Sequence, residues 1–259
     1  MFAGKVALIT GSTSGIGQAT ALLVAQRGGR ALATRRLFGR EGVAADRWHF
    51  VRGDVREAAV QRRLVDEAVG RFGRLDVLVN NAGVSGLADV PPLDVRSLDH
   101  VWAVNFRSAF TLTQLAFPHL ARQKGAVVNV SSATSTIAVP AFAAYCVAKA
   151  ALDHWTRIAA LMYAPAGVRV NSVNPGFAKS GIASGLGLPD PKDFAAAFSP
   201  LCRSHVPQRR LGRAAEVAEV IALLAADRAA WITGAQFVVD GGLEAGAALP
   251  EQKPAAAKK

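Results

Sequence analysis

Short apolar runs alternate with longer amphipathic stretches along this chain. Val6–Thr10, Ala31–Thr34, Trp48–Arg52, Val77–Asn80, Ala126–Val130, Arg169–Val173 and Gln236–Val239 read as strands. Several are apolar nearly throughout, the pattern of strands buried on both sheet faces. Between them, Ile16–Arg27, Glu57–Arg71, Ser97–Lys124, Ala143–Ala164 and Ala214–Ala226 read as helices. Such alternation predicts a doubly wound α/β fold, with a mostly parallel sheet and helices on both faces. No repeat or Gly/Ser linker divides the chain, so residues 1–242 are expected to form one domain. Residues 177–212 break the rhythm. They contain Pro189, Pro191, Pro200 and Pro207 and read as a long excursion over the sheet, a candidate substrate loop or lid. Residues 243–259 are rich in Ala, Pro and Lys and read as a flexible tail.

Composition narrows the class. The 259 residues are 51% hydrophobic and 19% charged, which excludes disorder and implies an extensive core or subunit interface. No apolar run approaches the ~18 residues of a membrane helix, so no membrane partner is expected. A strand so close to Met1 leaves no room for a leader, and Cys146 and Cys202 are too few for a disulfide framework. A cytoplasmic setting is the expectation. The net charge of +11 raises nucleic-acid binding, but the arginines are scattered and no nucleic-acid-binding motif accompanies them. No nucleic acid is expected as a partner. The five histidines show no ligand spacing, so no metal is expected either. Trp102, Trp155 and Trp231 read as core or interface anchors.

The first chemical signal lies at the first strand–helix junction, Gly11-Ser12-Thr13-Ser14-Gly15-Ile16-Gly17. Glycines there let the backbone approach a phosphate, and the helix N-terminus offers free N–H groups and a positive dipole end. Further on come Gly53-Asp54-Val55, Asn80-Asn81-Ala82-Gly83, Asn174-Pro175-Gly176, Arg210-Leu211-Gly212-Arg213 and Thr233-Gly234…Asp240-Gly241-Gly242. Tyr145 and Lys149, four apart on a predicted helix, share one face, and Ser132 precedes Tyr145 by 13 residues.

In these ordered motifs, covering roughly residues 4 to 242, the chain resembles the short-chain dehydrogenase/reductase family. The resemblance implies a Rossmann-type sheet and a nicotinamide cofactor. It maps Asn105, Ser132, Tyr145 and Lys149 onto the catalytic tetrad, with the 13-residue offset favouring Ser132 over Ser131. It implies cofactor contacts from Gly11, Ser14, Gly15, Ile16, Gly17, Asp54, Val55, Asn81, Ala82, Gly83, Tyr145, Lys149, Pro175, Gly176 and Ser180. Asp54 would cap the adenine amine. Serine stands at position 180 where a threonine is usual, and keeps the hydroxyl for the carboxamide.

The chemistry accounts for the residue types. Hydride exchange at a carbonyl carbon also needs a proton at the oxygen, and a free phenol near pKa 10 is a poor base at neutral pH. Lys149 is therefore expected to lower the pKa of Tyr145. Ser132 would steady the developing charge on the substrate oxygen, and Asn105 would open its helix locally and hold a water in a relay to Lys149. The reaction expected is interconversion of a secondary alcohol and a ketone. The alternatives are reduction of an acyl-carrier-bound 3-ketone and, from another class, a non-catalytic NADP-binding regulator.

About 20 residues past the glycines, where relatives that prefer NAD carry an acid, this chain has Arg35 and Arg36. Two guanidiniums there favour a 2′-phosphate, so NADP(H) is the expected cofactor and NAD(H) a possible one. Residues 37–47 lack the periodicity of a helix that relatives usually carry. Leu186, Leu188, Phe194 and Phe198 point to an apolar or mid-sized ketone or alcohol. Helices 97–124 and 143–164, apolar over more than one face, imply by resemblance a homotetramer or homodimer.

Overall fold

The computed structural model describes residues 1–33, 43–85, 94–178 and 191–246. Arg35, Arg36, Ser180, Leu186, Leu188 and most of the tail lie outside the described residues. The elements run β1 (Val6–Ile9), α1 (Gly15–Gln26), β2 (Arg30–Ala33), β3 (Trp48–Phe50), α2 (Ala58–Phe72), β4 (Val77–Asn80), α3 (Val95–Trp102) and α4 (Ser108–Gln123). There follow β5 (Ala126–Val130), α5 (Ala143–Tyr163), β6 (Arg169–Pro175), α6 (Pro191–His205), α7 (Ala214–Ala225) and β7 (Gln236–Val239).

Among the described residues the seven strands form one sheet, every pair parallel, in the order β3-β2-β1-β4-β5-β6-β7. The chain steps outward from β1 to β3 and then returns to the other side of β1. That reversal opens a crevice beyond the carboxyl ends of β1 and β4, where open α/β sheets bind ligands. Strand periodicity sorts the two cores. Val6 and Leu8 face a core completed by α2, α4 and α5, while Ala7 and Ile9 face one completed by α1 and α7. The β1–β4 junction is also pinned by a buried charge. Asp76 Oδ2 accepts the Val6 N–H (2.9 Å), and Arg74 forks onto the same carboxylate.

Two expectations need correction. The excursion over 177–212 contains α6, a 15-residue helix. Pro191 is compatible with a first helical position, where no intrahelical N–H is needed, and Pro200 is accommodated in the interior. The long helix expected over 97–124 is two helices joined by a π-turn, Ala103–Arg107. Trp155 is buried, and Trp231 is fully exposed on this chain. Between β2 and β3 the described residues hold a single 3-10 turn, Ala45–Arg47.

Candidate active site

The glycine turn is built by backbone geometry and by its neighbour. Gly11 (φ 62°) and Gly15 (φ 55°) are left-handed, a region costly for other residues. Ser14 precedes α1 without a side-chain cap, leaving its hydroxyl clear of the first-turn N–H groups that favour an anion. Gly17 serves packing: a Cβ there would press into the Asn81 side chain and the Gly11 carbonyl. Thr10 Oγ1 accepts the N–H groups of Asn81 and Ala82 (3.0 Å each), and Asn81 Nδ2 donates to the carbonyls of Thr10 (2.9 Å) and Gly11 (3.0 Å). The two turns are thus one unit.

Ser132 follows β5, while Tyr145 and Lys149 lie on the first turns of α5. Ser132 Oγ accepts from the Thr134 N–H (3.2 Å) and the Thr134 hydroxyl (3.0 Å). Both lone pairs are then filled, so its own proton is left to donate, and a hydrogen bond between Ser132 and the Tyr145 phenol works to lower the phenol pKa. Lys149 is buried, with Nζ donating to the Val130 carbonyl (2.7 Å) and lying 5.5 Å from the centre of the Tyr145 ring. One turn further along α5, Asp153 accepts from Asn174 (2.6 Å), and its charge supports the ammonium.

These pKa values run against the expectation that Lys149 lowers Tyr145. The Tyr145 ring keeps some surface toward the cavity, but desolvation pushes the phenol up to about 12, only partly offset by the Ser132 hydrogen bond. Desolvation also draws Lys149 down to about 8, against the pull of Asp153. Burial disfavours the charged form of both groups. It outweighs the Ser132 hydrogen bond at the phenol and the Asp153 charge at the ammonium.

Asn105 lies in the π-turn. Its Nδ2 donates to the carbonyls of Val84 (2.8 Å) and Val101 (2.9 Å), and its Oδ1 accepts the Val84 N–H (3.2 Å). It therefore clamps the turn after Gly83, which passes beside Lys149, as a Cβ at Gly83 would lie 3.7 Å from Nζ.

A cavity of about 1060 Å³ joins these parts. Its wall includes Gly11, Ser14, Ile16, Asp54, Val55, Asn81, Ala82, Gly83, Ser132, Tyr145, Lys149, Pro175 and Gly176. Gly15, Gly17 and Asn105 are not in the wall and act behind it. Much of the wall is apolar, with Phe142, Phe177, Phe198 and Leu243; Phe177 and Phe198 pack with ring centres 5.5 Å apart. Thr134, Arg56 and His100 also line the cavity. Sequence reasoning missed all three, because only the folded chain brings them to it.

A family model described as enoyl-(acyl carrier protein) reductase matches residues 11–244. The chain is 39% identical over 252 residues to a cis-4-hydroxycyclohexanecarboxylate dehydrogenase of Sinomonas cyclohexanicum, covering 94% of this chain and 98% of that protein. The chain belongs to the short-chain dehydrogenase/reductase family. A 3-oxoacyl-[acyl-carrier-protein] reductase of Thermotoga maritima is 34% identical, covering 93% of this chain and 98% of the other. A short-chain dehydrogenase/reductase of Caenorhabditis elegans, solved with cofactor, superposes with a TM-score of 0.87 at 33% identity, covering 95% and 97% of the two chains. The protein is an oxidoreductase of short-chain dehydrogenase/reductase type with a nicotinamide dinucleotide cofactor. Its residues suit that group: α1 starts without a Ser14 cap beside the cavity, and Lys149, with one N–H on Val130, keeps two to give. Among the described residues no helix is long and apolar enough to cross a membrane, and no cluster could hold a metal ion.

Proposed function

We propose that this protein interconverts a secondary alcohol and a ketone, with NADP(H) preferred and NAD(H) possible. The observation that carries this reading is the convergence of Ser132, Tyr145 and Lys149 on a cavity that also reaches the glycine turn. When bound, the cofactor supplies or accepts the hydride. Tyr145 gives or takes the proton at the reacting oxygen, and the Ser132 proton, aimed by Thr134, steadies that oxygen as charge develops. Lys149 holds the nicotinamide ribose hydroxyls with its remaining N–H groups. Asn105 fixes the turn carrying Gly83, and its π-turn is where a water joins the proton relay. Pro175, Gly176 and Ser180 hold the carboxamide. Arg35 and Arg36, just past β2, grip the 2′-phosphate.

The aromatic wall supports an apolar or mid-sized substrate. A second reading, reduction of an acyl-carrier-bound 3-ketone, is favoured by the family model's description and the Thermotoga relative. Val147, Leu161 (80% exposed) and Met162 give α5 an outward apolar face. That face supports a homotetramer or homodimer through α3–α4 and α5, to be checked by light scattering. The deciding experiment follows cofactor absorbance with ketones, aldehydes, secondary alcohols and a 3-oxoacyl thioester, using both cofactors. Turnover of simple ketones or secondary alcohols, faster with NADP(H), is expected. Cofactor binding without turnover of any member would favour a regulator instead.

A further inference from the structure

On the β3 side of the cavity, with three strands between β3 and β5, the wall contains Asp54, Arg56 and His100. Asp54 and Arg56 lie in the turn between β3 and α2, and His100 comes from α3. Arg56 Nε and Nη2 both donate to Asp54 Oδ2 (2.8 and 2.6 Å), and Nη1 lies 2.9 Å from His100 Nδ1. A guanidinium has only donors, so His100 Nδ1 is the acceptor and the ring proton sits on Nε2.

The two Asp54 oxygens are therefore unequal. Oδ2 takes two guanidinium N–H groups, whereas Oδ1 takes only the backbone N–H of Arg56 (2.9 Å), which leaves it a lone pair. The hydrogen bond from Arg56 holds the Asp54 carboxyl below its ordinary range, so it is an anion at neutral pH. A carboxylate lone pair beside a guanidinium selects a neutral N–H donor. A cation there would meet the Arg56 charge, and an anion the Asp54 charge.

We propose that Arg56 and His100 complete, with Asp54, a clasp for the exocyclic amine of an adenine ring. His100 holds the guanidinium, the guanidinium holds Oδ2, and Oδ1 is left to accept the amine. This rests on the dinucleotide reading above and adds Arg56 and His100 to it as positioning residues. The ion pair is partly exposed, and such pairs add little to folding stability, so removing Arg56 separates recognition from folding.

The test uses the full chain and calorimetric affinities for the preferred dinucleotide and its hypoxanthine counterpart, in which a carbonyl replaces the amine. Wild type is expected to prefer adenine by about tenfold or more, the scale of one hydrogen bond to a charged acceptor. Arg56→Ala should cut that preference to about threefold or less, with the melting temperature unchanged. His100→Leu should lower it by a smaller factor, whereas His100→Gln, which keeps an acceptor, should retain it. Full adenine preference in Arg56→Ala overturns the clasp. Equal wild-type binding of both dinucleotides also overturns it and leaves the cofactor reading standing. Failure of wild type to bind either dinucleotide overturns the cofactor reading and the clasp together.

Discussion

The catalytic side of the cavity and its β3 side set charge by opposite means. Around Tyr145 and Lys149 burial dominates, pushing the phenol up and the ammonium down. Around Asp54 solvent is close, and a neighbouring guanidinium lowers the carboxyl through direct hydrogen bonds. The first region holds protons ready to move; the second holds a fixed charge in a fixed direction. One cavity can thus join proton chemistry to recognition without either disturbing the other.

The most severe way to break this contrast is Tyr145→Phe. It removes the proposed proton donor and nothing on the β3 side, so turnover should fall by at least about 100-fold, the usual scale of general acid–base catalysis. Dinucleotide affinity from calorimetry should stay unchanged. If more than about a tenth of the turnover survived, another acid would be needed.

The burial of Lys149 has a measurable sign. Its folded value of about 8 lies below its ordinary 10.5, so between these pH values the unfolded chain binds more protons than the folded one. On this group's account stability rises with pH across that window. The opposite shift of Tyr145, from 10 to about 12, lowers stability above pH 10. Denaturant unfolding of wild type and Lys149→Met at pH 8 and pH 10 should reveal a wild-type gain, relative to the variant, on the order of 2 kcal/mol.

Changing the charge just past β2 should act on recognition alone. Arg35→Asp is expected to shift the ratio of kcat/KM for the two cofactors toward NAD(H) by at least tenfold, about 1.4 kcal/mol. Wild-type preference for NAD(H) would defeat the NADP(H) proposal at once. The mildest probe is Thr134→Val, which keeps the shape but frees one lone pair of Ser132. Turnover should fall about fivefold, within the scale of one neutral hydrogen bond, with KM little changed and Thr134→Ser restoring it. A faster Thr134→Val enzyme would mean that Ser132 donates to Thr134.

Where burial and local pattern agree, the fold is legible in the residues themselves: apolar runs such as Val77–Asn80 could only be inner strands. The glycine turn and the Tyr145–Lys149 spacing are likewise local signals, and both reach the cavity wall. Helix α6 was obscured because prolines read as breaks, although Phe194-Ala195-Ala196-Ala197-Phe198 carries helical spacing. The π-turn depends on Asn105 bonding to Val84, 21 residues away, and the Arg56–His100 contact spans 44 residues. Neither leaves a periodic trace. The direction of the Tyr145 shift was misjudged because spacing reports proximity to Lys149 but not the loss of water around both.

The pinning of β1 by Asp76 also bears on the order in which a nascent chain can settle. Val6–Ile9 leaves the ribosome before β4, so one flank must wait for that strand and for the buried carboxylate 70 residues later. At roughly 5–20 residues per second, that delay lasts several seconds, during which an apolar strand has an unclaimed edge. Contacts so distant in sequence also slow folding once synthesis is complete. The N-terminal quarter of this chain is therefore where a holdase chaperone would have most to shield.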